Sequence, residues 1–188
     1  MAWLVRSILL FCVILTAGCS VEGMIERLTS REDRAFARSF VENVRTGNVE
    51  ALKPEFDSGL WEKSREQFPQ ARTLFPPGKG ETKLIGFNIF TNVTNGASLT
   101  RKEFTLVTTD RTHWTLTHLI TLAEGGPARV VEWNVNGSKV PPPELEMYEK
   151  MERIGPWLQA GAIILLIGGG LLIFWLVRRS RRRAVARS

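Results

Sequence analysis

Apolar residues in the first half of the chain recur at helical spacing, and in the second half they alternate with polar ones. Phe36, Phe40 and Val44, with Ala37 and Val41, fall on one stripe, which predicts an amphipathic helix ended by Gly47. Upstream, Thr29-Ser30-Arg31-Glu32 reads as a capping box, with Thr29 as the cap and Glu32 answering three residues later. Asn48 is placed to cap a second short turn through Leu52 before Pro54. Leu60 to Leu74 then predicts one or two short helices broken near Pro69.

From Lys83 onward the period becomes two, and turn signals recur at Asn95-Gly96, near Asp110-Arg111 and at Gly125-Gly126-Pro127. They divide the region into four strands, roughly 83 to 93, 98 to 109, 112 to 122 and 128 to 136. Asn95-Gly96 is the strongest hairpin signal, because both central positions of a type I′ turn need positive φ. In the third strand Trp114, Leu116, His118, Ile120 and Leu122 share one face, and Thr115, Thr117 and Thr121 share the other. The apolar set predicts the core side and the threonines the wet side. In the fourth strand Val131, Trp133 and Val135 oppose Glu132 and Asn134. Pro141-Pro142-Pro143 is a stiff step, after which Glu144 to Arg153 predicts a helix leading to the membrane.

Trp157 to Val177 is a run of 21 residues without a charge. At ~1.5 Å per helical residue it reaches across a ~30 Å hydrocarbon core, so a transmembrane helix is expected. Trp157 and Trp175 would anchor it at the interfaces, and Arg178 and Arg179 open a basic flank expected on the cytoplasmic side. Gly161 and Gly168 share a face, which suits the close approach of another membrane helix. At the other end, Arg6, the apolar run Ile8 to Leu15 and the small residues before Cys19 read as a secretion signal. Leu15-Thr16-Ala17-Gly18-Cys19 resembles the bacterial lipoprotein box, in which the cysteine is lipidated and becomes the mature amino terminus. Thr16 departs from the leucine usual there, and an ordinary cleaved signal or an uncleaved anchor are the alternatives.

The formal charge of +6 is concentrated: Arg178, Arg179, Arg181, Arg182, Arg183 and Arg187 lie in the tail with nothing acidic among them. Without those six, the 25 basic residues fall to 19 and match the 19 acidic ones. No broad basic face remains to displace counterions from a phosphate backbone, so nucleic acid is not expected as a partner. Cys12 and Cys19 both lie in the amino-terminal segment, so the domain between the ends has no disulfide.

A helix, the step Thr46-Gly47-Asn48-Val49-Glu50-Ala51-Leu52, short helices ending in LFPPGKGETKLIGF and then an antiparallel sheet resemble the nuclear transport factor two-like, cystatin-like cone fold. The resemblance covers about residues 30 to 136 and rests on element order. It implies an α+β fold with amino-terminal helices packed on a curved four-stranded antiparallel sheet, to which the sequence adds one carboxyl-terminal transmembrane helix. Many members are exported bacterial proteins. Some bind small apolar ligands in the cone, and a few act as isomerases, cyclases or dehydratases.

His118 is the sharpest catalytic candidate, because it lies between Leu116 and Ile120 on the apolar face and could point into the cone. A catalytic role needs an acidic partner in the same pocket. Enzymes of the cone superfamily use an Asp or an Asp-His arrangement there, but Asp110 is a turn residue and Glu132 faces outward. A hydrogen-bonded core histidine is the plainer reading. His113 falls on the opposite face from His118, and two histidines without a free thiol do not make a metal site. No phosphate loop, nucleophile elbow or other cofactor motif is present, so no cofactor is expected. Phe87, Phe90, Phe104, Trp114 and Trp133 fill the core or line an apolar pocket.

The resulting organisation is a lipoprotein-type signal over 1–18, a spacer over 19–28 and an exported α+β domain over 29–138. A Pro-rich step and juxtamembrane helix follow over 139–156, then a transmembrane helix over 157–177 and a basic cytoplasmic tail over 178–188. The leading functional expectation is a binding or interaction module of unknown ligand, anchored in the cytoplasmic membrane with its main domain periplasmic or extracellular. The alternatives are a cone-fold isomerase, cyclase or hydrolase using His118, and an accessory subunit of a membrane complex. The expected partners are the lipid bilayer and, through the carboxyl-terminal helix, another membrane protein.

Overall fold

The computed structural model describes residues 20–78, 80–94 and 97–185, with side chains at all of these except 97, 159, 166, 171–174 and 176–185. The expected signal over 1–18, Cys12, Cys19, the Asn95-Gly96 turn and the side chains of Arg178 and Arg179 therefore lie outside the described residues. The chain divides into two compact units: Met24–Glu149 is one, and the segments up to Gly23 and from Lys150 onward form the other.

The expected spacer contains a helix, α1 (Val21–Leu28), with Ile25 buried. The next helix, α2, runs Arg31–Thr46 and stops at Gly47, which takes φ 83° as the apolar stripe and its glycine predicted. Its cap is Ser30, not Thr29. The Ser30 hydroxyl accepts the Asp33 N–H at 3.0 Å, whereas the Thr29 hydroxyl donates to the Ile25 carbonyl of α1 at 2.5 Å. A side chain that closes the helix before it is not free to open the helix after it. A 3-10 helix (Val49–Glu55) leads to α3 (Ser58–Thr73), which is continuous through Pro69 where a break was expected. The Asp57 carboxylate caps it by accepting from the Gly59 and Leu60 N–H groups. Pro inside a helix costs ~3 kcal/mol, but burying a large side chain such as Trp61 or Phe68 returns ~1.5–3 kcal/mol each, and both are on the stripe.

The sheet is an antiparallel meander of β1 (Glu81–Thr94), β2 (Ala97–Thr109), β3 (Trp114–Glu124) and β4 (Arg129–Ser138), in the order β1-β2-β3-β4. Bulges at Ile85 of β1 and Val131 of β4 bend those two strands. The second bulge shifts β4 by one position, so Val130 is buried and Val131 exposed, where alternation pointed to Val131. The larger departure is in β3. Thr115, Thr117, Leu119 and Thr121 are the buried set, and Trp114, His118, Ile120 and Leu122 are only partly covered. Cross-strand partners share a face, which groups the threonine row with Phe104, Leu106 and Thr108 of β2 and with Trp133 and Val135 of β4. Helices α2 and α3 reach this side: the Phe36 ring meets Phe104 at 6.4 Å, and Phe68 meets Trp133 at 4.8 Å.

The chain after β4 also differs from expectation. Instead of a short juxtamembrane helix followed by a separate span, one helix, α4, runs from Pro143 to Val185 with Pro156 inside it. Among the described residues no helix is long and apolar enough to cross a membrane, so the transmembrane helix over 157–177 is corrected. Trp157 continues a helix whose opening turns carry Glu144, Glu146, Glu149, Lys150, Glu152 and Arg153. Trp157 and Trp175 are exposed on this helix.

Candidate functional site on the second face of the sheet

The helix-side interior is occupied by rings. Phe40 lies 6.1 Å from both Phe56 and Trp133, and Phe68 stacks on Trp133 with 18° between the planes. The Trp133 indole donates to the Ser64 hydroxyl at 2.7 Å, so this buried N–H is paired. Phe104 and Trp133 are thus core residues, and Phe87 packs beside Phe104 at 5.2 Å. Phe90 and Trp114 belong instead to the other face of the sheet, together with Val107, Leu116, Ile120 and Leu122.

One end of that second face is covered by the start of α4. Tyr148 is buried, with the Lys83 ammonium 4.7 Å from its ring centroid, a cation-π distance. Leu145 and Tyr148 are three apart and therefore on one side of the helix. Beside this lid the sheet leaves a recess of about 310 Å3. β1 contributes Glu81 and Lys83, β2 contributes Val107 and Thr109, and β3 contributes Trp114. Arg111 comes from the β2–β3 turn, and Pro141, Leu145 and Glu149 from the segment after the sheet. The lining therefore sets an aromatic and aliphatic floor among two carboxylates and two cations.

Arg111 is held there at a conformational cost. It has φ 76°, the one positive φ outside glycine among the described residues. The turn is fixed by Asp110, whose carboxylate accepts from the Thr112 N–H at 2.9 Å, the Thr112 hydroxyl at 2.8 Å and the His113 N–H at 2.8 Å. The Arg111 N–H donates to the Thr109 hydroxyl. These bonds, first that of the Thr112 N–H, stabilise the charged carboxylate and hold the Asp110 pKa below its ordinary value of 3.8.

His118 does not lie on the helix-covered side of the sheet. It is partly exposed on the second face, opposite Thr105 and Asn134, with Nδ1 3.4 Å from the Thr105 hydroxyl. No carboxylate bonds to it among the described residues. Glu132 sits opposite Ile120 and Asp110 is committed to its turn. His113 belongs to that same turn rather than to β3. Among the described residues no three His, Cys, Asp or Glu side chains are grouped to hold a metal ion.

The recess escaped sequence reasoning because its lining comes from five segments, one of which had been read only as a connection to the membrane. The Leu145 and Tyr148 pair was the available signal. Comparison with protein-family models, with curated proteins and with solved structures gives no match.

Proposed function

We propose that the Met24–Glu149 unit is an extracytoplasmic binding module, held at the cell envelope through a lipidated Cys19, that takes a small zwitterionic ligand with an apolar body. The observation that carries this reading is the recess beside Trp114, whose lining combines Arg111 and Lys83 with Glu81, Glu149, Val107 and Leu145. Its volume falls at the lower end of the ~300–1,000 Å3 typical of small-molecule sites. A free carboxylate on the ligand meets the cations, an ammonium meets the carboxylates, and an aliphatic or aromatic body lies against the indole. An unblocked dipeptide has this chemistry. The strained Arg111 supports binding over mere packing, since a fixed turn presents the guanidinium without a further ordering cost on association. Among the described residues the hydrogen bond of His118 is to the Thr105 hydroxyl and none is to a carboxylate, which favours binding over catalysis.

The test is titration of the isotope-labelled chain with dileucine. Chemical-shift changes are expected at Thr109, Arg111, Trp114 and Leu145, and they should be lost in Arg111→Ala. Shifts scattered over the surface, or none at millimolar peptide, would remove the recess as the binding site.

A further inference from the structure

β1 is an edge of the sheet: among the described residues it pairs with β2 alone. Residues Asn88 to Thr94 are all exposed, with Ile89 at 48%, Phe90 at 57% and Val93 at 67%. Natural edge strands are protected from pairing by charge, proline, a bulge or shortness. This segment has none of these. No ionisable or proline side chain occurs from Leu84 to Thr100, the β1 bulge lies at the other end, and pairing with β2 is unbroken from Gly86 to Thr94. The opposite edge is protected: Val130 of β4 accepts the Asp57 N–H at 3.2 Å, a bulge follows, and Glu132 is exposed on the strand.

We propose that this segment of β1 pairs antiparallel with the same segment of a second copy of the chain, joining two four-stranded sheets across a two-fold axis near Thr91. One observation selects an added strand, and another selects a second copy as its source. The exposed apolar side chains lie on both faces, since Ile89 and Val93 are opposite Lys102 and Ser98 on the helix side while Phe90 is opposite Arg101 on the second face. A helix or flat surface laid on the sheet covers one face only, whereas a strand added at the edge places side chains beside both. Charge complementarity is the second. In an isologous pair centred on Thr91, the residues next to the axis lie close to their own copies, so a charge there would meet a like charge, and the segment from Leu84 to Thr94 carries none. Pairing centred on Thr91 sets Ile89 of each copy against Val93 of the other and Thr91 against itself. Seven residues span only ~23 Å at ~3.3 Å each, well short of a standard interface, so the dimer is weak and depends on concentration.

Site-specific crosslinking of the full chain tests this without interference from contacts made elsewhere. Thr91→Cys and Glu132→Cys are treated with a short bis-maleimide, with the unsubstituted chain reporting the background from Cys12 and Cys19. Thr91→Cys is expected to give a covalent dimer roughly fivefold above both references at about 100 µM, and Ile89→Lys with Val93→Lys should return it to background. Both lysines replace exposed side chains, and an unchanged melting curve confirms that the fold is kept. The proposal is overturned if Thr91→Cys crosslinks no better than Glu132→Cys, as an edge that takes a different chain would do. A dimer that survives the two lysines overturns it equally.

Discussion

Thr115 and Thr117 lie two residues apart on β3 and are both fully buried on the helix side, but they differ in one respect. The Thr115 hydroxyl donates to the Leu74 carbonyl at 2.6 Å, whereas the Thr117 hydroxyl meets no hydrogen-bond partner among the described residues. Valine keeps the branched shape and removes the hydroxyl, so the same substitution should act with opposite sign at the two positions. A buried hydroxyl without a partner costs ~1–3 kcal/mol. Thr117→Val should therefore stabilise the domain by about 1 kcal/mol, raising the melting temperature by roughly 3 °C. At Thr115 the bond itself is worth ~1 kcal/mol net, and its loss leaves the Leu74 carbonyl at the end of α3 with one acceptor bond fewer. Thr115→Val should cost about 1–2 kcal/mol. Urea unfolding followed by circular dichroism measures both, with an unchanged m-value showing that stability and not compactness has moved. Two shifts of the same sign, or two below about 0.3 kcal/mol, would refute the reasoning and return the threonines to the solvent side.

Other consequences follow from particular contacts. A Cβ at Gly137 would stand 3.0 Å from the Leu74 carbonyl oxygen, so Gly137→Ala should displace the end of α3 and cost about 1–3 kcal/mol in the same unfolding assay. The Asp110 pKa is lowered by the Thr112 and His113 donors, so the turn's contribution to stability is complete above the ordinary value of 3.8. It is lost only as pH falls through the lower folded value. Carboxyl NMR should give a midpoint below 3.8, and Asp110→Asn should move the Arg111 amide resonance at neutral pH. His118→Gln should change melting by less than about 1 kcal/mol, because the ring is partly exposed and its one described bond is 3.4 Å long. Cys19→Ala should abolish incorporation of labelled fatty acid, and label retained in that variant would remove lipidation at this position.

Much of the local structure was legible. The Phe36, Phe40 and Val44 stripe and its Gly47 stop gave α2 because spacing and a left-handed stop are local properties of the chain. The four strands fell within two residues of their expected limits, for alternation and turn residues are local as well. Errors arose where a local signal had two uses. Thr29 was a valid cap by type, but its hydroxyl closes α1. Pro69 was a valid breaker, but Trp61 and Phe68 on the same helix are buried strongly enough to carry it. The uncharged run from Trp157 to Val177 was a valid span by length, yet among the described residues no helix is long and apolar enough to cross a membrane.

What the sequence by itself determined was the helix ended by Gly47, the four strands with their approximate limits, and the charge balance outside the tail. Only the tertiary structure decided which face of β3 became the core. Alternation separates Trp114, Leu116 and Ile120 from Thr115, Thr117 and Thr121, but it does not say which set the helices will cover. That choice was made by contacts between residues far apart in the chain, such as Phe68 on Trp133 and Leu74 on Thr115, which bury the threonine methyls and pair one of the hydroxyls. The opposite set was left partly open, and the Leu145 and Tyr148 side of α4 closed over one end of it. The recess exists because those two decisions coincide, and neither is written in the spacing of any single segment.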